Sequence, residues 1–137
     1  MKIIACLDLS SQAPLVLEKA VELAKWRNAE LILFTVAEDF LDFGEGVTLA
    51  LTEQIRQQAG KTTEEYQAKA QAMGMKTRTV LESGVSPADS ILSFAEKEGA
   101  DLIIMGSRAK TGLDRFLIGS VASKVVAHAK CSVMVLR

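Results

Sequence analysis

Short apolar runs that suit β-strands alternate along the chain with longer segments of helical periodicity. This order, βαβαβαβαβ, predicts a parallel sheet with helices on both of its faces. Right-handed crossovers and the tendency of sequential strands to pair leave few arrangements of such a sheet, and we expect the strand order 3-2-1-4-5. The predicted fold class is therefore α/β, a single-domain three-layer α/β/α structure with a five-stranded parallel sheet.

The elements are delimited by apolar patterning and by cap residues. Strands are predicted at Lys2–Asp8, Glu30–Ala37, Lys76–Glu82, Asp101–Ser107 and Ser132–Arg137. Helices are predicted from a Ser10 or Ser11 cap to Trp26, over about Leu49–Met73, from a Ser86 cap to Gly99, and over about Ser120–Lys130. Gly60 leaves open whether the second helix is unbroken. The third strand alternates polar and apolar residues, which is typical of a poorly covered edge strand. We interpret Trp26 as a packing residue, and Glu38–Val47 as a mobile acidic loop.

The composition excludes several classes of function. The 137 residues are the size of one domain, which we expect to span residues 1–137. A formal net charge of −1 argues against a nucleic-acid-binding protein that works by bulk electrostatics. No apolar run approaches the roughly 18 to 20 residues of a membrane span, and the N-terminus lacks the features of a signal peptide. We expect a cytoplasmic protein with neither nucleic acid nor membrane as a partner.

Two cysteines, Cys6 and Cys131, lie in apolar, strand-like runs. They are interpreted as small buried hydrophobic residues that stay reduced. The alternative is a redox pair. The expected strand order separates the two cysteines by two strands, about 9 to 10 Å at matched height. A disulfide needs Cα atoms within about 7 Å, so we expect no bond between them.

The segment from Met105 to Ser120 has the most distinctive chemistry of the sequence. It follows an apolar strand, leads into a helix, and contains three glycines together with Arg108, Lys110 and Arg115. A glycine-rich turn leaves backbone N–H groups unpaired, and a helix N-terminus adds partial positive charge. The combination suits an anion such as phosphate. The alternatives are a plain connecting loop whose glycines serve tight turns, and basic residues that are merely solvated.

The expected topology decides between these interpretations. In the order 3-2-1-4-5 the chain reverses direction between strands 1 and 4, and ligands of such sheets bind at the carboxyl ends of the strands beside the reversal. Strand 1 ends at Asp8 and strand 4 at Gly106, so the two lie side by side. The sequence therefore predicts that the glycine loop lines a binding site.

Several familiar motifs are missing. The phosphate loop G-x-x-x-x-G-K-S/T is absent, and no G-x-G-x-x-G follows the first strand. His128 is the single histidine and has no metal-ligand spacing around it, so it is interpreted as a partly exposed helix residue. Nothing in the sequence places it near Asp8 or Ser120 for hydrolase chemistry. Receiver-type phosphoacceptor chemistry is discarded because Glu82 and Arg137 stand where an aspartate and a lysine would be needed.

The pattern that remains is Gly106, Ala109 and Gly119-Ser120, with Asp8 after the first strand and a terminal KCSVMVLR strand. It closely resembles the universal stress protein family over the full chain. The nucleotide-binding branch of that family carries glycine, two residues, glycine, nine residues, glycine, then serine or threonine. Here Ala109 replaces the second glycine and the rest of the spacing holds. The resemblance implies an adenine nucleotide alpha hydrolase-like fold.

The resemblance also implies a ligand, ATP with Mg²⁺ on its phosphates. From the residues themselves we assign no catalytic residue. The family's contacts to phosphates and ribose fall, by resemblance, on Gly106, Ala109, Gly119, Ser120 and Val121. The adenine and ribose side falls on Asp8, Val36 and Met105. From the residues alone, Asp8 could equally cap the first helix, and Val36 and Met105 could be ordinary core.

Ala109 is the departure from the motif that matters most. If its backbone takes a positive φ, its Cβ costs on the order of 1 kcal/mol, and the methyl group crowds the ribose or phosphates. We therefore expect ATP to bind more weakly than in members with the intact motif, by roughly tenfold or less for the strain alone.

Three functions remain open. The first is a dimeric, nucleotide-responsive stress or regulatory module with an unknown protein partner. The second is a very slow ATPase, which lacks a convincing general base. The third is a nucleotide-free dimer that resembles the family's other branch. The dimer itself is predicted from the apolar edge strand 132–137, because exposed apolar edges invite pairing.

Overall fold

The structure is a computed structural model that describes residues 1–8, 10–38, 47–107 and 118–137. Its elements, in chain order, are β1 (Lys2–Cys6), α1 (Ala13–Arg27), β2 (Glu30–Glu38), α2 (Val47–Ala72), β3 (Arg78–Gly84), α3 (Pro87–Glu98), β4 (Leu102–Gly106), α4 (Ser120–His128) and β5 (Ser132–Leu136). All strand pairings are parallel, and the sheet order is β3-β2-β1-β4-β5. The predicted fold class and strand order are confirmed.

The two faces of the sheet bury separate apolar layers, because successive side chains of a strand point to opposite faces. Ile3 and Ala5 of β1 pack with α1 and with Tyr66 and Ala70 of α2. Ile4 packs on the other face with α3 and α4. Phe34 of β2 belongs to this second layer, where its ring stacks on that of Phe94 with centroids 4.3 Å apart. The sheet is thus covered on both sides.

The start of α1 differs from the serine cap that the sequence predicts. Gln12 is the N-cap, and its side chain makes no capping hydrogen bond. Ser10 lies two residues earlier, where its Oγ accepts a hydrogen bond from the Gln12 backbone N–H at 3.3 Å. The serine therefore stabilises the turn that leads into the helix and does not cap the helix itself.

The second helix is one unbroken rod, and Gly60 does not interrupt it. The buried residues of this helix include small and polar ones such as Ala59 and Thr63. The strand that follows, β3, is an edge strand whose residues are exposed or only partly buried. The edge position that its alternating sequence predicts is confirmed.

The interpretation of Trp26 as a packing residue is wrong. Its side chain is 77% exposed, and the Arg27 guanidinium lies 5.6 Å from the ring centroid. The reason is helical phase: the buried face of α1 contains Ala20 and Ala24, and two further residues rotate Trp26 about 200° away from it. Residue type suggested burial, but the position on the helix decides against it.

The two cysteines are free, as predicted. Cys131 precedes Ser132, whose partner on β4 is Leu102, at the start of that strand. The register places Cys6 four residues further along the sheet, at the level of Met105. The cysteines are therefore separated by two strands and also by about 13 Å along the strand direction.

Candidate functional site

A cleft opens at the carboxyl edge of the sheet, beside the junction of β1 and β4. Its empty space, including the open mouth, is about 510 Å³. It lies on the side of the sheet covered by α3 and α4. The lining residues are Cys6, Leu7, Asp8, Phe34, Val36, Pro87, Ile91, Met105, Gly106, Ser107, Gly119, Val121 and Ala122. The cleft stands at the chain reversal where the topology predicts a ligand.

Most of the site residues predicted from the sequence meet in this cleft. The structure places six of them along its wall: Asp8, Val36, Met105, Gly106, Gly119 and Val121. Ser120 is the first residue of α4; it is exposed and adjoins the cleft without lining it. Ala109 lies outside the described residues, as do Arg108, Lys110, Arg115 and the span 39–46.

One wall of the cleft is apolar. It is made by Phe34 and Val36 of β2, Met105 of β4, and Pro87 and Ile91 of α3. The contribution of α3 was not foreseen from the sequence, because nothing local in Ser86-Pro87 indicates which strand ends the helix approaches. A flat, uncharged ring system can be buried against such a wall.

Two helix N-termini border the cleft, and they are capped differently. The α3 N-terminus has Ser86 as its N-cap, whose Oγ accepts a hydrogen bond from Asp89 N–H at 3.4 Å. The N-cap of α4 is Gly119, which supplies no side-chain acceptor. Because the first-turn amides of a helix lack intrahelical acceptors, the start of α4 is the better anion site.

Asp8 has a structural role at the tip of β1. Its Oδ1 accepts a hydrogen bond from Ser10 N–H at 2.9 Å, and its backbone carbonyl accepts one from the Tyr66 hydroxyl at 3.2 Å. Burial, followed by the negative charges of Asp8 and Glu65, raises the pKa of Tyr66. Asp8 therefore ties the exit of β1 to the turn before α1 and to α2, while it also lines the cleft.

Ser107, directly after β4, joins three parts of the molecule and is only 1% exposed. Its N–H donates to the Leu136 carbonyl at 2.9 Å, and its carbonyl accepts from Gly119 N–H at 2.9 Å. Its Oγ is 3.1 Å from the Gln12 side-chain amide nitrogen, which donates to it. Neither Ser107 nor Gln12 was predicted from the sequence as a site residue. The feature that could have indicated Ser107 is its position as a polar residue directly after an apolar strand.

Among the described residues, Cys6 and His128 are side chains near the cleft or on α4 that resemble catalytic groups. Burial, followed by the charge of Asp8, raises the pKa of the Cys6 thiol to about 12, so that the nucleophilic thiolate is disfavoured at neutral pH. His128 is exposed at the end of α4, about 12 Å along the helix from Ser120. Within residues 1–8, 10–38, 47–107 and 118–137, no group of three His, Cys, Asp or Glu side chains could hold a metal ion.

Among the residues that the structure describes, no helix is both long enough and apolar enough to cross a membrane.

Comparisons with known proteins agree on the fold and the family. A family model described as the universal stress protein family matches residues 1–137. Universal stress protein MJ0531 of Methanocaldococcus jannaschii is 35% identical over 133 residues, which cover 95% of this chain and 76% of that protein. The structure of universal stress protein UspA from Lactobacillus plantarum has a TM-score of 0.88 at 25% identity and covers 100% of this chain and 97% of that one.

A further structure is that of the universal stress protein from Archaeoglobus fulgidus in complex with dAMP. It has a TM-score of 0.74 at 22% identity, and the match covers 100% of this chain and 98% of that one. At this identity the likeness shows the shared fold.

Proposed function

Because the chain belongs to the universal stress protein family, we propose that it is a small stress-response protein that binds an adenine nucleotide in the cleft at the carboxyl edge of its sheet. The main support is the combination of an apolar wall with the uncapped first turn of α4. A base fits the first and phosphates fit the second. The Archaeoglobus fulgidus protein of the same fold was solved with dAMP, which is consistent with this proposal.

The proposed ligand is ATP. Asp8, Val36 and Met105 face its adenine and ribose side. The ribose and phosphates are held, chiefly through backbone N–H groups, by Gly106, Ala109, Gly119, Ser120 and Val121. Among the described residues no side-chain cluster suits a metal, so Mg²⁺ would be held mainly by the phosphate oxygens.

The acting form is proposed to be a homodimer in the cytoplasm. Four apolar residues of the edge strand β5 are only partly buried within one chain, from Val133 to Leu136. A second copy that covers this strand would bury them. The two free thiols suit a reducing compartment. Light scattering coupled to gel filtration tests the dimer, and a monomer at micromolar concentration would contradict it.

Photolabelling tests the location of the site. An 8-azido derivative of ATP should label peptides that contain residues 34–36, 87–91 or 105–107, and unlabelled ATP should compete. Adenosine should compete less well than ATP, because it lacks the phosphates that meet α4. Labelling confined to other surfaces, or labelling that ATP does not displace, would contradict the proposed site.

A nucleotide-free interaction module is the second candidate, and the partly exposed apolar strand β5 favours it because this surface needs no ligand. The nucleotide content of freshly purified protein after denaturation separates the two candidates. Released adenine nucleotide supports the binding module. A protein free of nucleotide that also fails to take up ATP would support the second candidate.

A further inference from the structure

The absence of a side chain at Gly106 leaves room for the side chain of Gln12. A Cβ at position 106 would lie 2.7 Å from Gln12 Oε1, 3.2 Å from Gln12 Cβ and 3.3 Å from Gln12 Cδ. Ordinary carbon contacts begin near 3.5 Å. The space that a side chain at this position would fill is therefore occupied by the side chain of Gln12.

The alternation of side chains along β4 shows that Gln12 contacts Gly106 from the α1 side of the sheet, opposite to the cleft. Leu102 and Ile104 belong to the apolar layer against α1, whereas Ile103 and Met105 belong to the layer against α3 and α4. By alternation, a side chain at position 106 would point toward α1. The missing side chain of Gly106 thus admits Gln12 from behind, while the backbone of Gly106 lines the cleft in front.

The Gln12 side chain forms a hydrogen bond to the end of β4. As the N-cap of α1 it makes no capping hydrogen bond, and its amide nitrogen instead donates to Ser107 Oγ at 3.1 Å, across 95 positions of sequence. Ser107 in turn accepts the Gly119 N–H on its carbonyl. A chain of contacts therefore runs from α1 through the exit of β4 to the N-cap of α4.

We propose that Gln12 is a positioning residue for the phosphate side of the cleft: by packing on Gly106 and binding Ser107, it fixes the placement of Gly119 and of the first turn of α4. This inference rests on the proposed nucleotide site. Gln12 does not line the cleft. We expect its effect mainly on the α4 side, because most of the apolar wall belongs to β2 and α3, whereas the contacts of Gln12 are with Gly106 and Ser107.

The comparison of ATP with adenosine tests the positioning role. In Gln12→Ala, loss of one hydrogen bond and its packing should weaken ATP binding by about tenfold and leave adenosine binding nearly unchanged. Gln57→Ala, an exposed glutamine on α2, is the matched control and should change neither. Gln12→Met keeps much of the packing on Gly106 without the hydrogen bond and should fall in between. Equal weakening of ATP and adenosine, or no weakening of ATP, would overturn the proposal.

A second measurement needs no ligand. Gly106→Ala should lower the Tm of the otherwise unchanged protein, because the new methyl group displaces Gln12. The same substitution in the Gln12→Ala background should lower the Tm much less. Additive effects would show that Gln12 does not occupy this space, and would overturn the inference. If the unaltered protein bound neither ATP nor adenosine, the proposed function and the nucleotide role of Gln12 would fail, while the unfolding cycle would still decide whether Gln12 holds the turn.

Discussion

The two ends of the parallel strands, the amino edge and the carboxyl edge of the sheet, differ in the side chains that they carry. At the amino edge, four charged side chains from β1, β2, β3 and α3 form one ionic cluster. Arg78 binds Glu98 through two hydrogen bonds of 3.0 and 2.7 Å, and Lys2 Nζ lies 3.2 Å from Glu98 Oε2. Glu30 lies 3.6 Å from Arg78 and 3.9 Å from Lys2. These contacts join elements that are far apart in sequence.

At the carboxyl edge the strand ends open into the cleft. Among the described residues that line it, Asp8 carries the charged side chain, and Gln12 and Ser107 form an uncharged side-chain link beside the cleft. The ion pair between Asp89 and Lys124, at 2.8 Å, joins α3 to α4 rather than two strands. Ion pairs therefore join the elements at the amino edge, whereas the carboxyl edge keeps a cleft open at the place where sheets of this topology bind ligands.

Gly119→Asp should separate binding from stability most strongly. Gly119 has φ −59° and ψ 162°, a conformation open to any residue, so aspartate can cap α4 and raise the helix stability by a few tenths of a kcal/mol. The same carboxylate would occupy the first-turn amides and repel phosphate. We expect ATP affinity to fall by at least about tenfold, measured by calorimetry, without loss of Tm.

Gly119→Asn is the matched neutral control for this prediction. It offers a similar acceptor without the charge and should weaken ATP binding less than aspartate does. Unchanged ATP affinity in Gly119→Asp would mean that the phosphates do not bind at the start of α4. The proposed role of the carboxyl edge in binding would then be contradicted.

Ala109→Gly should change ATP binding in the opposite direction. Ala109 lies outside the described residues, at the position where the motif of the universal stress protein family has glycine. If its Cβ strains the loop, the substitution should tighten ATP binding by up to about tenfold. Ala127→Gly, at an exposed position of α4, should leave the affinity unchanged. Equal affinities for Ala109→Gly and the unaltered protein would remove backbone strain as a reason for weak binding.

Glu98→Gln tests the amino edge. The hydrogen bonds from Arg78, followed by Lys2, lower the pKa of Glu98 from its ordinary 4.5 to about 2. A group with a lowered folded-state pKa contributes stability that is fully present above pH 4.5 and is lost as the pH falls toward 2. The variant should therefore lose a few degrees of Tm at neutral pH, and its deficit should shrink between pH 4.5 and 2.

The control for this prediction is Glu96→Gln, on the same helix. Glu96 makes a single exposed ion pair with Lys130, and such pairs contribute little. Neither substitution should change ATP affinity. A deficit for Glu98→Gln that does not depend on pH, or a loss of ATP binding, would break the proposed division between the edges.

Trp26→Lys should have the smallest effect. Because this side chain is 77% exposed, the free energy of unfolding should change by less than about 0.5 kcal/mol. Leu17→Ala, on the buried face of the same helix, should cost about 2 to 5 kcal/mol in the same urea titration. If Trp26→Lys lowered the free energy of unfolding by several kcal/mol, as in Leu17→Ala, the Trp26 ring would have to be covered by a second chain, for example in a dimer.

The sequence was sufficient for the fold and for the place of the cleft, because both follow from regular patterns. Alternating strands and helices determine the sheet order, and the order brings Asp8 beside Gly106. The Gln12–Ser107 link and the amino-edge cluster were not foreseen. Arg78 and Glu98 each resemble solvated surface charges until the topology is known in detail, and nothing local to Gln12 indicates a partner 95 positions away. The interpretation of Trp26 as a packing residue was wrong for a simpler reason: the position of a residue on the helix decides its burial more than its type does.

The decisive experiment is a calorimetric titration of the purified protein with Mg-ATP. We expect a saturable heat with about one nucleotide per chain, a weaker response to adenosine, and a marked loss of binding in Gly119→Asp. No heat with ATP up to millimolar concentration, from protein shown to be folded and free of bound nucleotide, would contradict it.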